Sequence, residues 1–221
     1  MINIENLTKS YRTPAGRHYV FKDLNLTLPA GQSVALIGRN GAGKSTLLRM
    51  IGGTDNPDSG RIASRATISW PVGLAGGFQG SLTGRENVKF VARLYATKEE
   101  LRQKVAFVED FAELGKYFDM PVKAYSSGMK ARLGFGLSMA FTFDYYLVDE
   151  VTAVGDASFR KKCEMIFEER HRDACFLMVS HNLNSLKHYC DAAVFIGREN
   201  HVQYYDDVDD AINAYKAQEN L

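Results

Sequence analysis

Gly38-Arg39-Asn40-Gly41-Ala42-Gly43-Lys44-Ser45 sets glycines, a lysine and a serine at the spacing G-x-x-x-x-G-K-[ST]. Its glycines let successive backbone N–H groups turn toward an anion, and a helix opening just beyond adds the positive end of its dipole. Lys44 is then placed to reach the β and γ oxygens of ATP, and Ser45 offers a hydroxyl to Mg2+. A second reactive pair lies far along the chain, where Asp149 and Glu150 end the apolar run Tyr145-Tyr146-Leu147-Val148. A carboxylate at the end of a buried strand is costly unless a cation meets it. Asp149 can hold Mg2+, and Glu150 can polarise a water for in-line attack on the γ phosphate, although it could also serve as a cap for the next segment. His181 follows Val179-Ser180 at the end of a further apolar run, on the same sheet edge if the strands are parallel. It can donate to the γ phosphate there, and a purely structural role is the alternative.

The elements that must hold these groups follow from periodicity. Ser33-Val34-Ala35-Leu36-Ile37 reads as a short buried strand running into Gly38, with a helix from near Gly43 to about Gly52. The unbroken apolar runs 145–148, 175–179 and 192–196 predict parallel strands covered on both faces. Ahead of them, Ile2, Ile4 and Leu7 lead to Tyr11, a Thr13-Pro14-Ala15-Gly16 turn follows, and Tyr19-Val20-Phe21 with Leu24, Leu26 and Leu28 resumes, which predicts an antiparallel flap. From Arg85 to Phe143 the period turns helical, with Val88, Val91, Leu94 and Tyr95 on one stripe, Leu101, Val105, Val108 and Phe111 on a second, and Leu133, Leu137, Met139 and Ala140 on a third. A last helix is expected from about Val208 to Lys216, with Asp207, Asp209 and Asp210 around its first turn. The fold class is α/β: a P-loop, RecA-like core with a mainly parallel sheet, an antiparallel flap and an inserted helical subdomain. The expected division is a single domain over 1–221, with 1–84 and 144–221 as core and about 85–143 as the helical part.

Composition narrows the function. Lys and Arg number 27 against 26 Asp and Glu, so no broad positive field exists to hold nucleic acid. The three cysteines, Cys163, Cys175 and Cys190, form no CxxC pair and suit reduced thiols. No run approaches the roughly 18 apolar residues of a spanning helix, and the start Met1-Ile2-Asn3-Ile4-Glu5 lacks the pattern of a signal peptide.

Between the phosphate loop and the acidic pair stands Tyr125-Ser126-Ser127-Gly128-Met129. Ser126 or Ser127 is a good N-cap for the helix carrying Leu133 and Leu137, and Gly128 lets a backbone N–H approach an anion. With the loop, this segment, Leu147-Val148-Asp149-Glu150 and His181 in order, the chain resembles the ATPase subunits of ABC transporters over essentially its whole length. The resemblance implies the ABC ATPase fold and a homodimer, in which Ser127 and Gly128 of one subunit bind the γ phosphate of ATP held by the other. It implies nucleotide contacts from the whole of Gly38 to Ser45, including Arg39, Asn40 and Ala42, and from Thr46 to the α phosphate. Tyr11 matches the aromatic residue that stacks on adenine, with packing alone as the alternative. Gln79 stands where the family has a glutamine that senses Mg2+, beside Ser45 and Asp149, and Asp156 where an aspartate faces the partner's site. Glu150, His181 and Lys44 carry the catalytic roles.

The chain departs from the common pattern. Val151 replaces the usual proline in Asp149-Glu150-Val151-Thr152, Ala153-Val154-Gly155-Asp156 follows, and two residues separate Gln79 from Leu82-Thr83-Gly84-Arg85-Glu86-Asn87. With Trp70-Pro71-Val72-Gly73-Leu74-Ala75-Gly76-Gly77-Phe78-Gln79, these features are similar to the ATPases of bacterial polysaccharide exporters, above all those of group 2 capsular polysaccharide. The resemblance implies a peripheral protein on the cytoplasmic face of the inner membrane, with integral-membrane permease subunits as partners. The polysaccharide would be handled by the permease, and the segment 70–79 would be a hinge contacting it. The residues after the last core strand are too few for an appended carbohydrate-binding domain. Alternatives are an exporter of O-antigen or teichoic acid type, or a non-transport ABC ATPase.

Overall fold

A computed structural model describes residues 1–14, 16–73, 77–150, 156–197 and 201–219. Ala15 of the expected turn, Leu74, Ala75 and Gly76 of the expected hinge, and Val151 to Gly155 after the acidic pair lie outside the described residues. The chain divides into two compact units, one of 1–71, 143–150 and 173–221, the other of 72–142 and 151–172.

In the first unit, β1 (Ile2–Thr13) and β2 (Gly16–Leu28) pair antiparallel, and β4 (Ser59–Ser64) adds to the other edge of β1. Alternation buries Ile2 and Ile4, but the next apolar residue, Leu7, is three positions on instead of two. The register shifts between Ile4 and Leu7, where Asn6 takes a left-handed φ of 48°, a conformation that asparagine tolerates better than most residues.

The second sheet has six strands in the order β5-β6-β7-β3-β8-β9. They are β3 (Val34–Gly38), β5 (Ile68–Pro71), β6 (Tyr145–Asp149), β7 (Cys175–Val179), β8 (Ala192–Ile196) and β9 (Val202–Tyr205), all parallel to their neighbours except β9. Consecutive residues Val34 to Ile37 and Tyr145 to Val148 are all buried, so both faces of these strands are covered. Helix α1 (Lys44–Ile51) packs on β3 and on β5 to β7 through Leu47, Leu48, Met50 and Ile51, while α6 (Leu183–Tyr189) and α7 (Val208–Glu219) pack on β7 and on β3, β8 and β9. Because β3, β6 and β7 run parallel, Gly38, Asp149 and Val179 end at one edge.

Edge strand β5 shows how this sheet tolerates a proline. Its register to β6 shifts between Ile68 and Pro71, and Pro71 has no N–H to give. The wholly buried Ser69 fills the gap, its Oγ accepting from Leu147 N at 3.0 Å and donating to Trp70 O at 2.7 Å. Ser69→Ala is expected to strand the Leu147 N–H and to cost about 1–3 kcal/mol in chemical denaturation. An unchanged unfolding midpoint would remove this role.

The second unit is helical. It holds α2 (Gly84–Tyr95), α3 (Lys98–Ala112), α4 (Ser127–Met139) and most of α5 (Ala157–Asp173). Capping boxes start α2 and α3, from Thr83 with Glu86 and from Thr97 with Glu100. Phe111 stacks on Phe107 and Phe135 at 5.7 and 5.8 Å and meets Phe159 edge-on at 5.5 Å, joining α3, α4 and α5. The second stripe proves buried at Val105, Val108 and Phe111, and the third at Leu133, Leu137, Met139 and Ala140. The first does not hold: Val88 is buried, but Leu94 and Tyr95 are 66% and 56% exposed. The buried face of α2 is instead Gly84, Asn87, Val88 and Ala92. Asn87 turns it, because its amide accepts from Gln79 N and donates to Gln79 O and Thr83 O, which draws a polar side chain inward. Among the described residues, no helix is long and apolar enough to cross a membrane.

Candidate nucleotide site

The phosphate loop leaves β3 at Gly38 and enters α1 through Gly43, whose φ is 102°. A side chain at Gly43 would be strained by that angle and would also stand 2.5 Å from Val20 and 2.9 Å from Phe21 of the flap. No side chain caps α1, so its first N–H groups stay available to an anion. Lys44 curls over the loop, its Nζ donating to Gly38 O and Arg39 O, each at 2.8 Å. Half-burial pulls its ammonium below the ordinary lysine range, opposed by the charges of Glu150 and Asp149. Ser45 Oγ donates to Asp149 Oδ1 at 3.0 Å, so the hydroxyl and the carboxylate expected at Mg2+ meet across 104 positions. Thr46 is buried, and its Oγ1 accepts a long 3.4 Å bond from Arg49.

Strand β6 delivers Asp149, paired in register with Val179 of β7, and Glu150 N donates to Val179 O at 3.0 Å. Glu150 itself has a φ of 54°, the left-handed region that a side chain with a Cβ enters only at a cost. That turn sets its Oε1 2.8 Å from His181 Nε2, with the two side chains 49% and 63% exposed and so open to water. A cleft of about 540 Å3 brings Asn40, Gly41, Gly43, Lys44, Ser45, Thr46, Glu150 and His181 together with Tyr11, His18 and Val20 from the flap. His18 and Val20 were not expected here. The available signal was the pairing of the flap strands, since His18 is the direct partner of Tyr11. Among the described residues no three His, Cys, Asp or Glu side chains form a metal cluster. One carboxylate and one hydroxyl are nevertheless hard oxygen donors of the kind that suit Mg2+ together with phosphates.

The remaining candidates belong to the second unit. Gln79 Nε2 donates to Ser81 Oγ at 3.3 Å, and its backbone is held by Asn87. Of the two serines, Ser126 is the cap, its Oγ accepting from Met129 N at 3.2 Å, while Ser127 is the first residue of α4 and Gly128 the second, both exposed. Tyr125 is buried, and its hydroxyl donates to Tyr117 O at 2.6 Å. Asp156 accepts from Phe159 N at 3.0 Å, capping α5, and from Arg132 Nη2 at 2.8 Å. No motif of the sequence marks Arg132. It ties α4 to the start of α5 and lies 4.3 Å over the Phe159 ring.

A phosphate loop, an acidic strand end and a histidine at one edge of this strand order define a P-loop nucleotide-binding ATPase. The chain belongs to the ABC transporter family, whose model matches residues 21–153. The polysialic acid transport ATP-binding protein KpsT of Escherichia coli is 71% identical over 221 residues, covering 100% of this chain and 99% of that protein. The capsule polysaccharide export ATP-binding protein CtrD of Neisseria meningitidis serogroup B is 44% identical, over 98% of this chain and 99% of that protein. A dimeric post-hydrolysis structure of the ATP-binding cassette MJ0796 bound to ADP and Pi superposes with a TM-score of 0.73 at 21% identity, covering 92% of this chain and 98% of that one.

Proposed function

We propose that this chain is the ATPase of an exporter of capsular polysaccharide, working as one domain in a homodimer attached to integral-membrane permease subunits at the cytoplasmic face of the inner membrane. The observation that carries the chemistry is a cleft lined by Lys44, Ser45, Glu150 and His181, with Asp149 reached through the Ser45 hydroxyl. In it the loop amides and Lys44 grip the triphosphate, Lys44 exchanging its two carbonyl partners for β and γ oxygens. Ser45 and Asp149 would hold Mg2+, which when bound neutralises charge on the phosphate oxygens. Glu150 orients the attacking water and takes up its proton, and His181, whose Nε2 lies 2.8 Å from that carboxylate, turns its N–H to the γ phosphate when ATP is bound. Tyr11 presents its ring to the adenine, and Ser127 and Gly128 of the other subunit close over the γ phosphate. The likeness to KpsT and CtrD, both named for transport or export of such polymers, supports the choice of cargo. The polymer itself is left to the permease.

The test is complementation. Expressed in an Escherichia coli strain lacking KpsT, this chain is expected to restore surface polysialic acid, and its Lys44→Ala variant is expected to leave the polymer inside the cell. No restoration by a well-expressed chain would count against the capsular reading, and restoration by Lys44→Ala against the energy-coupling one.

A further inference from the structure

Asp55 lies between α1 and β4, outside every motif of the site, yet two flap residues grip its carboxylate. Lys9 Nζ donates to Oδ1 at 2.6 Å and the Tyr11 hydroxyl to Oδ2 at 3.0 Å. Lys9 is only 7% exposed, its ammonium also donates to Asn56 O at 2.7 Å, and it stands 5.1 Å from the centre of the Tyr11 ring. The hydrogen bond from Lys9 holds the Asp55 carboxyl below its usual range, so it is a carboxylate throughout the neutral region. Nearby, Asp58 accepts from Ser10 N at 2.9 Å and from Ser10 Oγ at 2.5 Å, and its own N–H donates to Thr8 O at 2.8 Å. The segment 55–58 is therefore stitched along Thr8 to Tyr11 of β1.

The Tyr11 ring needs such a tether. It is 40% exposed on a strand near the hairpin end, so packing alone leaves its torsions loosely held. Fastening the hydroxyl to a carboxylate that is itself clamped by a buried lysine holds the ring in one orientation at the wall of the cleft that it lines with Lys44 and Thr46. We propose that Asp55 is a positioning residue for the nucleotide: through the Tyr11 hydroxyl it holds the ring in the orientation that receives the base of ATP. This rests on the assignment of Tyr11 to the adenine under the proposed function. A ring already ordered need not be immobilised on binding, an advantage that corresponds to about three- to tenfold in affinity.

Calorimetric titration of the full chain with ATP in EDTA, which suppresses turnover, and in parallel with inorganic tripolyphosphate separates the base from the phosphates. Tyr11→Phe and Asp55→Ala are each expected to weaken ATP binding about three- to tenfold, and the double variant no further than the weaker single one, while tripolyphosphate binding stays unchanged. Tyr11→Phe removes one hydroxyl and leaves the Lys9 to Asp55 pair intact, so it decides the matter even if Asp55→Ala folds poorly. Should Tyr11→Ala bind ATP as the parent does, the adenine assignment fails and the tether with it. If Tyr11→Ala weakens ATP but Tyr11→Phe and Asp55→Ala do not, the assignment stands and the tether is wrong. Equal losses for ATP and tripolyphosphate would also overturn it, since a loosened flap rather than a misdirected ring would then be the cause.

Discussion

Glu150→Gln is expected to lower kcat by a factor on the order of 10² to 10³ while leaving ATP affinity within a few-fold of the parent. The substitution keeps size, and an amide oxygen can still accept from His181 at the 2.8 Å position. Backbone placement is unchanged as well, because glutamine enters the left-handed φ of 54° at the same cost as glutamate. What is lost is a charged acceptor for the proton of the attacking water. With binding intact and hydrolysis blocked, ATP and Mg2+ should hold two chains together, seen as a doubling of mass in light scattering. A variant that hydrolyses ATP at the parental rate would take Glu150 out of the reaction. One that loses ATP binding as well would mark the residue as structural.

Gly128→Trp is expected to abolish ATP-dependent dimerisation and nearly all ATPase activity, while the monomer folds and binds ATP. Gly128 has no evident packing task among the described residues. A Cβ at Gly128 would find nothing closer than Ser126 Oγ at 3.9 Å, in contrast to Gly136 of the same helix, where it would press on Phe111 at 3.2 Å. Helical glycine costs about 0.5–1 kcal/mol relative to alanine, so at an exposed position some other contact must require it. The second half of α4 is buried continuously from Leu133 to Met139, which anchors the helix and leaves its start to face outward. Exposed N–H groups there, with no acidic residue in the first turn, suit an anion brought by another molecule. Gly128→Ala should thus leave the unfolding midpoint unchanged or slightly raised and still impair the dimer, a pairing of outcomes that a merely structural glycine would not give. Parental dimerisation and turnover in Gly128→Trp would refute the shared site.

Much of the nucleotide site was legible because its parts are local. Gly38 to Ser45 is contiguous, so strand, turn and helix can be read in one stretch, and the apolar runs at 145–148, 175–179 and 192–196 carry the mark of strands covered on both faces. The pieces not legible in the sequence carry weak patterns. Strand β4 reads Ser-Gly-Arg-Ile-Ala-Ser with little burial, and β5 breaks its register at a proline, so neither alternates as a half-buried strand should. The buried face of α2 departs from the apolar stripe because Asn87 turns inward to bind the backbone of 79–83, and a buried amide does not count in a pattern of apolar residues.

By itself the sequence determined the class of chemistry: a loop for phosphates, carboxylates at a strand end, a serine and glycine opening a helix, and the family to which these belong. Tertiary structure alone decided which side chains meet: Ser45 with Asp149, Glu150 with His181, Arg132 with Asp156, and Asp55 with Lys9 and Tyr11. The physical reason is range. Backbone preference and periodicity act over a few residues and are written in the order of types, whereas a hydrogen bond between groups 104 positions apart depends on which strands lie side by side and in which register.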